Sequence, residues 1–325
     1  MDIILNSYGT SLSVENGNFV IIHKDGKQIV HPAKVKTIQI AKGARISSDA
    51  AILAIDNEID VLFIGPGGMP LGRIWGIKYG SISNIRRNQL EFTLSPRAVK
   101  WIKEIVVQKL DNQIALLMTL IPSDFEYQQM LKVAIRKITD YKNKILKLDG
   151  VVVSDIAPSL RGWEGAASKV YFELLGKIVP EKYRFEGRSQ HPAKDLFNCM
   201  LNYAYGILYG RIEGALIKAG IDPYVGVFHR DDYNRPVLVF DVIEIFRVWA
   251  DYVIINLCMQ HAIGEESYSV KEDGTYWLEN LGRRIVIQSM NDYLDEIITM
   301  NGLERTRLTH IELYAQRLAD IFGKM

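Results

Sequence analysis

The stretch LSVENGNFVIIHKDGKQIV, residues 12–30, determines the fold class expected for the first part of the chain. Three short apolar runs in this stretch are separated by Asn16-Gly17 and by Asp25-Gly26. Such pairs between apolar runs are strong signals for tight β-hairpins, because Asn, Asp and Gly tolerate the positive φ angles that these turns require. The stretch therefore predicts two consecutive hairpins.

Further strand patterns follow on both sides of a short helix pattern. Residues 35–40 alternate between apolar and polar with period two, and Val61 to Ile64 form a short apolar run before a glycine-rich segment. Between them, the Ser47-Ser48-Asp49 sequence can cap a helix. We expect residues 1–88 to form a mainly antiparallel β-sandwich domain.

The hydrophobic period changes to 3.6 residues from about Pro96 onwards. Trp101, Ile105, Leu110, Ile114 and Leu117 mark one face of a long amphipathic helix, and similar patterns recur to the C-terminus. We therefore expect an all-α domain over residues 89–325. The predicted fold class is α+β with two domains.

Composition restricts the class of protein but not its chemistry. A chain of 325 residues with 48% hydrophobic and 24% charged residues can bury a sizeable core, and its length suggests about two domains. A net charge of +1 excludes a strongly basic coat but not a local basic patch. Cys199 and Cys258 lie in apolar contexts without CxxC spacing, which favours core packing over a disulfide or a zinc site.

No sequence feature indicates a membrane protein. The N-terminal segment lacks the basic start and apolar core of a signal peptide, and the apolar runs are far shorter than the roughly 20 residues of a membrane-spanning helix. We expect a cytoplasmic protein with no membrane association.

An acidic pair and a nearby histidine are the first candidates for chemistry. Asp241 and Glu244 are three residues apart, so they share one face of a helix, and Arg247 extends that face by one turn. His229 lies in the preceding loop. The plain alternatives are acids that stabilise the first helical turn and a hydrogen-bonded structural histidine.

Glu164 makes a metal site a stronger hypothesis. It lies among Gly162, Gly165, Ala166 and Ala167, where a buried carboxylate is costly unless it is paired or bound to a metal. Two carboxylates and one imidazole suit Mg²⁺ or Mn²⁺ better than structural zinc. Such an ion can assist phosphodiester chemistry, although a tight helix interface with a locally paired glutamate remains the alternative.

Three stretches together resemble the CRISPR-associated adaptation integrase, the Cas-one endonuclease family. The first is LRGWEGAASKVYF at 160–172, and the second runs from Arg188 to Pro192 and from Asp195 to Leu208. The third runs from Gly220 to His229 and continues through Arg235-Pro236 to Arg247. The family often has proline after the arginine that matches Arg247, whereas this chain has Val248.

The resemblance implies a ligand set, a reaction and partners. Glu164, His229 and Glu244 would bind the Mg²⁺ or Mn²⁺ ion, with Asp241 as a further catalytic acid beside them. The expected protein is a homodimer through its β-domains, joined to a small ferredoxin-like partner, the Cas-two protein. It would insert short double-stranded DNA fragments into the repeat array by attack of a 3′-hydroxyl on a phosphodiester, and it would also act as a DNA endonuclease.

The sequence also offers basic residues for contact with DNA, although a solvated surface is the alternative for each. The six candidates are Arg161, Lys169, Arg235, Arg247, Arg283 and Arg284. Two other functions stay open at this point. One is a metal-dependent phosphodiesterase that acts on RNA or branched DNA without integration, and the other is a DNA-binding scaffold whose acids are structural.

Overall fold

The computed structural model of this chain describes most of its residues. The described ranges are 1–24, 26–65, 70–74, 76, 82–120, 125–190, 192–229 and 235–324, with the backbone alone at 70 and 82. The chain divides into two compact units, Met1–Gly80 and Ser81–Met325. The boundary between residues 88 and 89 that the sequence suggested falls inside the first helix of the second unit.

The N-terminal unit contains two four-stranded sheets and one helix. Its elements are β1 (Asp2–Leu5), β2 (Ser11–Glu15), β3 (Asn18–His23), β4 (Gly26–Val30), β5 (Thr37–Ala41), β6 (Arg45–Ile46), α1 (Ser48–Asp56), β7 (Asp60–Ile64) and β8 (Pro70–Ile74). The strand orders are β1-β5-β7-β8 and β4-β3-β2-β6. Apolar side chains of both sheets and of α1 form one core.

The hairpin prediction is confirmed within the described residues. Strands β2 and β3 pair around Asn16 and Gly17, whose φ angles are 51° and 72°. These positive angles at both central residues are those of the tight hairpin turn that the Asn-Gly pair favours. Strands β3 and β4 also pair antiparallel, while Asp25 lies outside the described residues. The predicted cap is present as well, because Ser47 Oγ accepts the backbone N–H of Ala50 at 3.1 Å.

The two sheets share one core as a sandwich does, but the prediction that they are mainly antiparallel is wrong. Three pairings are parallel in the described strands, namely β1 with β5, β5 with β7, and β2 with β6. Parallel neighbours need a crossover connection, and helix α1 lies in the connection between β5 and β7. The alternating pattern of a strand indicates which face is buried but not the direction of its neighbour, so the sequence pattern did not reveal this pairing.

The C-terminal unit is built from long helices. They are α2 (Ile82–Thr93), α3 (Pro96–Thr119), α4 (Phe125–Leu146), α5 (Val153–Ile178), α6 (Leu196–Lys218), α7 (Val237–Met259), α8 (Asn280–Asp295) and α9 (Arg307–Gly323). Among the described residues, single turns of 3₁₀ helix lie in this unit at Glu181–Tyr183 and Glu265–Ser267, and another lies in the N-terminal unit at Pro32–Lys34. The predicted face of α3 is confirmed, since Trp101, Ile105, Leu110 and Leu117 are buried.

The prediction of an all-α second domain is also wrong in detail. Two short hairpins interrupt the helices, formed by β9 (Tyr268–Val270) with β10 (Tyr276–Leu278) and by β11 (Ile297–Met300) with β12 (Leu303–Thr306). Asn301-Gly302 forms the tight turn of the second hairpin, with φ angles of 54° and 76°. An Asn-Gly dipeptide therefore forms a tight hairpin turn in the helical unit as well as in the N-terminal one.

The helices that position the candidate residues pack against one another. Helix α3 contacts both α5 and α7, and α6 packs along α7. Glu164 lies on α5, and Asp241 and Glu244 lie on α7. None of the helices in the described part of the chain combines the length and apolar character needed to cross a membrane.

Candidate metal centre

A buried cluster of charges lies where α3 meets α5 and α7. The Nζ atom of Lys109 contacts Glu164 Oε1 and lies 2.5 Å from Glu244 Oε2. The side chains of Lys109 and Glu244 are only 7% and 11% exposed, and that of Glu164 is 23% exposed. Lys109 therefore brings the two predicted carboxylates of different helices to one point.

Each carboxylate also has a second polar neighbour. Ser168, one turn further along α5, donates its hydroxyl to Glu164 Oε1 at 2.9 Å. Arg247 donates its Nε–H to Glu244 Oε1 at 2.9 Å. The Oε2 atom of Glu244 is buried, and among the described residues its polar contact is with the Lys109 ammonium.

The charges in the cluster determine its protonation state. Burial lowers the pKa of Lys109, but the carboxylates of Glu244 and Glu164 outweigh that effect and raise it overall. Burial raises the pKa of Glu244, whereas Arg247 and Lys109 lower it to about 2 overall. At neutral pH the cluster therefore holds an ammonium beside an ionised Glu244 carboxylate.

Asp241 has a different set of partners at the start of α7. Its side chain is fully buried and accepts the backbone N–H groups of Val227 at 2.8 Å and of Phe228 and His229 at 3.1 Å each. Oδ1 also lies 2.7 Å from His229 Nδ1. Both oxygens are thus used by the loop before α7, and Asp241 fixes the conformation of that loop.

The loop conformation also depends on Gly226. A Cβ atom at this position would lie 2.3 Å from the carbonyl oxygen of His229 and 2.7 Å from Val237 Cγ2. Because the His229 carbonyl oxygen is a backbone atom, it cannot move aside without a shift of the chain. A side chain at Gly226 would therefore displace the segment that carries His229.

The contacts of His229 favour a role as a ligand. A carboxylate that accepts from Nδ1–H fixes the orientation of the ring and leaves Nε2 for another partner. Within the described residues, Nε2 has no hydrogen-bond partner, and the side chain is 40% exposed. The ring centroid lies 5.2 Å from that of Phe228 and 6.0 Å from that of Phe240. Asp241 and the two aromatic rings therefore hold an imidazole whose second nitrogen is accessible.

The predicted ligands are divided into two groups. Among the residues that the structure describes, no three His, Cys, Asp or Glu side chains converge closely enough to hold an ion. Glu164 is paired with Glu244 through Lys109, while His229 is paired with Asp241. Binding of one ion by Glu164, His229 and Glu244 together stays a prediction.

Comparison with known proteins decides the family. Residues 3–292 match the family model described as CRISPR associated protein Cas1. The chain belongs to the Cas1 family. A relative from Archaeoglobus fulgidus, named CRISPR-associated endonuclease Cas1 1, is 32% identical, and the match covers 97% of this chain and 94% of that protein.

Two solved structures share the fold of this Cas1 chain. A casposase bound to integration product has a TM-score of 0.83 at 20% identity, covering 99% of this chain and 90% of that one. A chain of a Cas6-RT-Cas1--Cas2 complex has a TM-score of 0.80 at 20% identity and is matched by 100% of this chain. This Cas1 chain spans 35% of the length of that larger chain.

The six basic residues that the sequence offered for DNA contact differ in their surroundings. Three of them have structural partners: Arg161 donates to Phe228 O at 3.0 Å, Arg247 pairs with Glu244, and Arg283 donates to Leu278 O at 2.8 Å. Lys169, Arg235 and Arg284 are exposed, and Lys169 lies 3.8 Å from Glu173. Contact with DNA stays a prediction for all six.

Sequence reasoning missed Lys109, which joins Glu164 to Glu244. Its signal was present, because a lysine interrupts the apolar stripe formed by Ile102, Ile105, Val106 and Leu110 on α3. A lysine in a buried stripe needs a compensating acid. The period alone did not show which acids of other helices would meet it.

A second buried network supports Arg247. Tyr205 and Tyr171 donate their hydroxyls to Asp251 at 2.6 and 2.8 Å, and the Arg247 guanidinium lies 4.7 Å from the centroid of the Tyr205 ring. Burial raises the pKa of Asp251, and the hydrogen bonds from Tyr205 and Tyr171 offset only part of that rise. Tyr205 thus supports Arg247, which in turn contacts Glu244.

Proposed function

We propose that this Cas1 chain is a metal-dependent DNA strand transferase and endonuclease that inserts short DNA fragments into a CRISPR repeat array. One observation carries the proposal: Glu164 and Glu244, which lie on two different helices, both contact the buried ammonium of Lys109. The name of the Archaeoglobus relative, an endonuclease, and the description of the casposase structure, bound to integration product, support the same chemistry.

The residues fit a divalent cation as cofactor. Glu244 Oε2 is a buried carboxylate oxygen whose polar contact among the described residues is the Lys109 ammonium, and His229 has an accessible Nε2. Two carboxylates and one neutral imidazole form the oxygen-rich set that suits Mg²⁺ or Mn²⁺. Glu164, Glu244 and His229 would hold the ion, which when bound supplies positive charge to polarise a phosphodiester.

The protein's own residues have separate tasks in this proposal. Asp241 accepts from His229 Nδ1 and thereby orients the ring, as carboxylates commonly do for metal-binding histidines. Arg247 and Lys109 keep Glu244 ionised, and Ser168 holds Glu164 on its helix. None of these side chains needs to form a covalent intermediate.

The proposed reaction exchanges one phosphodiester bond for another. The 3′-oxygen of the incoming fragment forms a bond to a phosphorus atom of the repeat strand and loses its hydroxyl proton. The bond from that phosphorus to the 3′-oxygen of the repeat strand breaks, and the departing oxygen takes up a proton. When water takes the place of the fragment's hydroxyl, the same geometry gives endonuclease cleavage.

We also propose the partners of this reaction. The chain would work as a homodimer through its N-terminal unit and would join the small Cas2 protein on double-stranded DNA. The Cas6-RT-Cas1--Cas2 complex, which includes a chain with this fold, supports the Cas2 partner.

The direct test is a disintegration assay on branched DNA with purified protein. The wild-type chain should rejoin strands with Mg²⁺ or Mn²⁺ and should be inactive in EDTA. Glu164→Ala should reduce rejoining on the order of 100-fold or more, since even indirect support of a metal site changes function by 10- to 100-fold. Glu173→Ala on the same helix is the matched control, because Glu173 is exposed and contacts only Lys169 at 3.8 Å.

Three outcomes would count against the proposal. Equal rejoining in EDTA would exclude the metal, and full activity of Glu164→Ala would exclude this site. Hydrolysis of RNA or branched DNA without any rejoining would favour the phosphodiesterase alternative.

A further inference from the structure

Lys109 contacts one oxygen of each of the two glutamates that the proposed function assigns to the metal ion. Its ammonium reaches Glu164 Oε1 and Glu244 Oε2, which come from two helices and meet only at this nitrogen. We propose that Lys109 sets the metal affinity of the site, because its ammonium competes with the divalent cation for Glu164 and Glu244. This inference rests on the metal site of the proposed function.

The distances make the two cations mutually exclusive. Divalent ions of this kind bind carboxylate oxygens at about 2.0–2.2 Å, whereas the Lys109 Nζ atom lies 2.5 Å from Glu244 Oε2. An ion bound to both oxygens would therefore occupy nearly the position of the ammonium nitrogen. Like charges at such a separation repel strongly in a site with little water. Lys109 has to withdraw before the ion can bind both glutamates.

The charge balance of the cluster explains why this competition matters. Lys109 and Arg247 carry two positive charges, and Glu164 and Glu244 carry two negative ones. With Lys109 in place, a divalent cation meets a cluster that is already neutral. Without Lys109 the cluster has one net negative charge, which attracts the ion.

Lys109 is better suited to withdraw than Arg247. Arg247 is held by its bond to Glu244 Oε1 and by the ring of Tyr205, which itself is bonded to Asp251. Lysine presents a point charge on a flexible four-carbon stem, whereas a guanidinium is planar and directional. The structure thus combines one fixed cation with one that can move away from the same carboxylates.

The test is Mn²⁺ binding to the full-length chain, measured by isothermal titration calorimetry and by electron paramagnetic resonance of free Mn²⁺. Lys109→Met should bind Mn²⁺ tighter on the order of tenfold, the scale on which neighbouring side chains change metal affinity. Lys109→Arg should bind Mn²⁺ more weakly than the wild type, because the guanidinium holds two carboxylates more firmly. Lys100→Met is the control on the same helix, since Lys100 is 81% exposed and pairs only with Glu104.

Thermal unfolding gives a second readout that does not depend on activity. Lys109→Met should have a lower Tm than the wild type in EDTA, because two buried carboxylates lose a counter-charge. Saturating Mn²⁺ should then raise its Tm by more than it raises that of the wild type. If the role of Lys109 is purely structural, Lys109→Met should have the lower Tm in EDTA but should show no larger rise of Tm with Mn²⁺ than the wild type.

The outcomes separate this inference from the proposed function. If the wild type binds Mn²⁺ no better than Glu164→Ala, the metal site itself is wrong. If the wild type binds and Glu164→Ala does not, but a folded Lys109→Met shows unchanged or weaker affinity, only the role of Lys109 is overturned. If Lys109→Met does not fold, Lys109→Arg decides the question. Mn²⁺ affinity of Lys109→Arg equal to or higher than that of the wild type would overturn the proposed role of Lys109.

Discussion

Asp241 and Glu244 lie one turn apart on the same helix, yet the protein uses their carboxylates in different ways. Asp241 accepts three backbone N–H groups and contacts a histidine ring nitrogen. Glu244 accepts from Arg247 with one oxygen and meets only the Lys109 ammonium with the other. The first carboxylate is held by the loop that carries His229, whereas the second lies between two cationic side chains, Lys109 and Arg247.

This difference shows why a shared helix face does not assign roles. The three-residue spacing predicted that both acids would face the same way, and the resemblance placed Glu244 ahead of Asp241 as a ligand. The hydrogen bonds give a physical reason for that order, because an oxygen that already accepts two donors has little capacity left for an ion. Mutations that separate the two acids can therefore test the comparison.

The largest effect is expected at Glu244. Glu244→Gln keeps the shape of the side chain and its bond to Arg247 but removes the charge that would bind the ion. We expect Mn²⁺ affinity and strand rejoining to fall on the order of 100-fold or more, measured by calorimetry and by the branched-DNA assay. Near wild-type Mn²⁺ affinity in a folded Glu244→Gln protein would remove Glu244 from the proposed ligand set.

A smaller effect on metal binding, combined with a clear loss of stability, is expected at Asp241. Asp241→Asn presents an amide N–H₂ to at least one of the donors that now bond to the carboxylate. The free energy of unfolding should fall by about 2 kcal/mol, the typical cost of a buried donor without a partner. Mn²⁺ affinity should fall by about 10- to 100-fold through misorientation of His229.

Urea unfolding and Mn²⁺ titration of the same Asp241→Asn preparation check both parts. If Asp241→Asn abolishes Mn²⁺ binding as fully as Glu244→Gln while its stability is unchanged, the comparison is reversed, and Asp241 is the ligand.

The smallest effect concerns the buried Asp251 behind Glu244. Burial raises the pKa of Asp251 above its ordinary value, so the folded protein binds this proton more tightly than the unfolded chain does. The stability contributed by this group is therefore full below the unfolded-state pKa of about 4 and is lost as pH rises towards the folded-state pKa. Asp251→Asn, which does not titrate, should remove that part of the pH dependence.

Urea unfolding at several pH values from 4 to 7 measures this effect as the difference between the two proteins. Relative to the wild type, Asp251→Asn should gain stability as pH rises. If the difference in unfolding free energy between the two proteins is the same at every pH in that range, burial does not raise the pKa of Asp251 in the folded protein.

The parts of the fold that the sequence predicted are those with local causes. Asn16-Gly17 specifies its hairpin, and Ser47 caps α1, because each acts within a few residues of itself. The parallel neighbours β1 and β5 have no such local signal, since their pairing depends on a long-range connection. The turn at Asn301-Gly302 had a local signal, but the helical period of its surroundings concealed it.

The candidate site shows the same limit. The apolar context of Glu164 and the spacing of Asp241 and Glu244 indicated acids that need partners. Which partner each acid finds is decided by how α3, α5 and α7 pack, and this packing brings Lys109 to Glu164 and Glu244 and the Val227 to His229 loop to Asp241. A one-dimensional pattern contains no information on that choice.

The central claim is that Glu164, Glu244 and His229 bind one divalent cation once Lys109 withdraws. A crystal structure of the chain soaked in Mn²⁺, with data collected at the manganese absorption edge, tests it most directly. We expect one anomalous peak at about 2.0–2.3 Å from a Glu164 oxygen, a Glu244 oxygen and His229 Nε2. Lys109 Nζ should have moved away from both glutamates. An occupied Mn²⁺ site elsewhere, with the Lys109 ion pairs unchanged, would show that both the proposed ligand set and the proposed role of Lys109 are wrong.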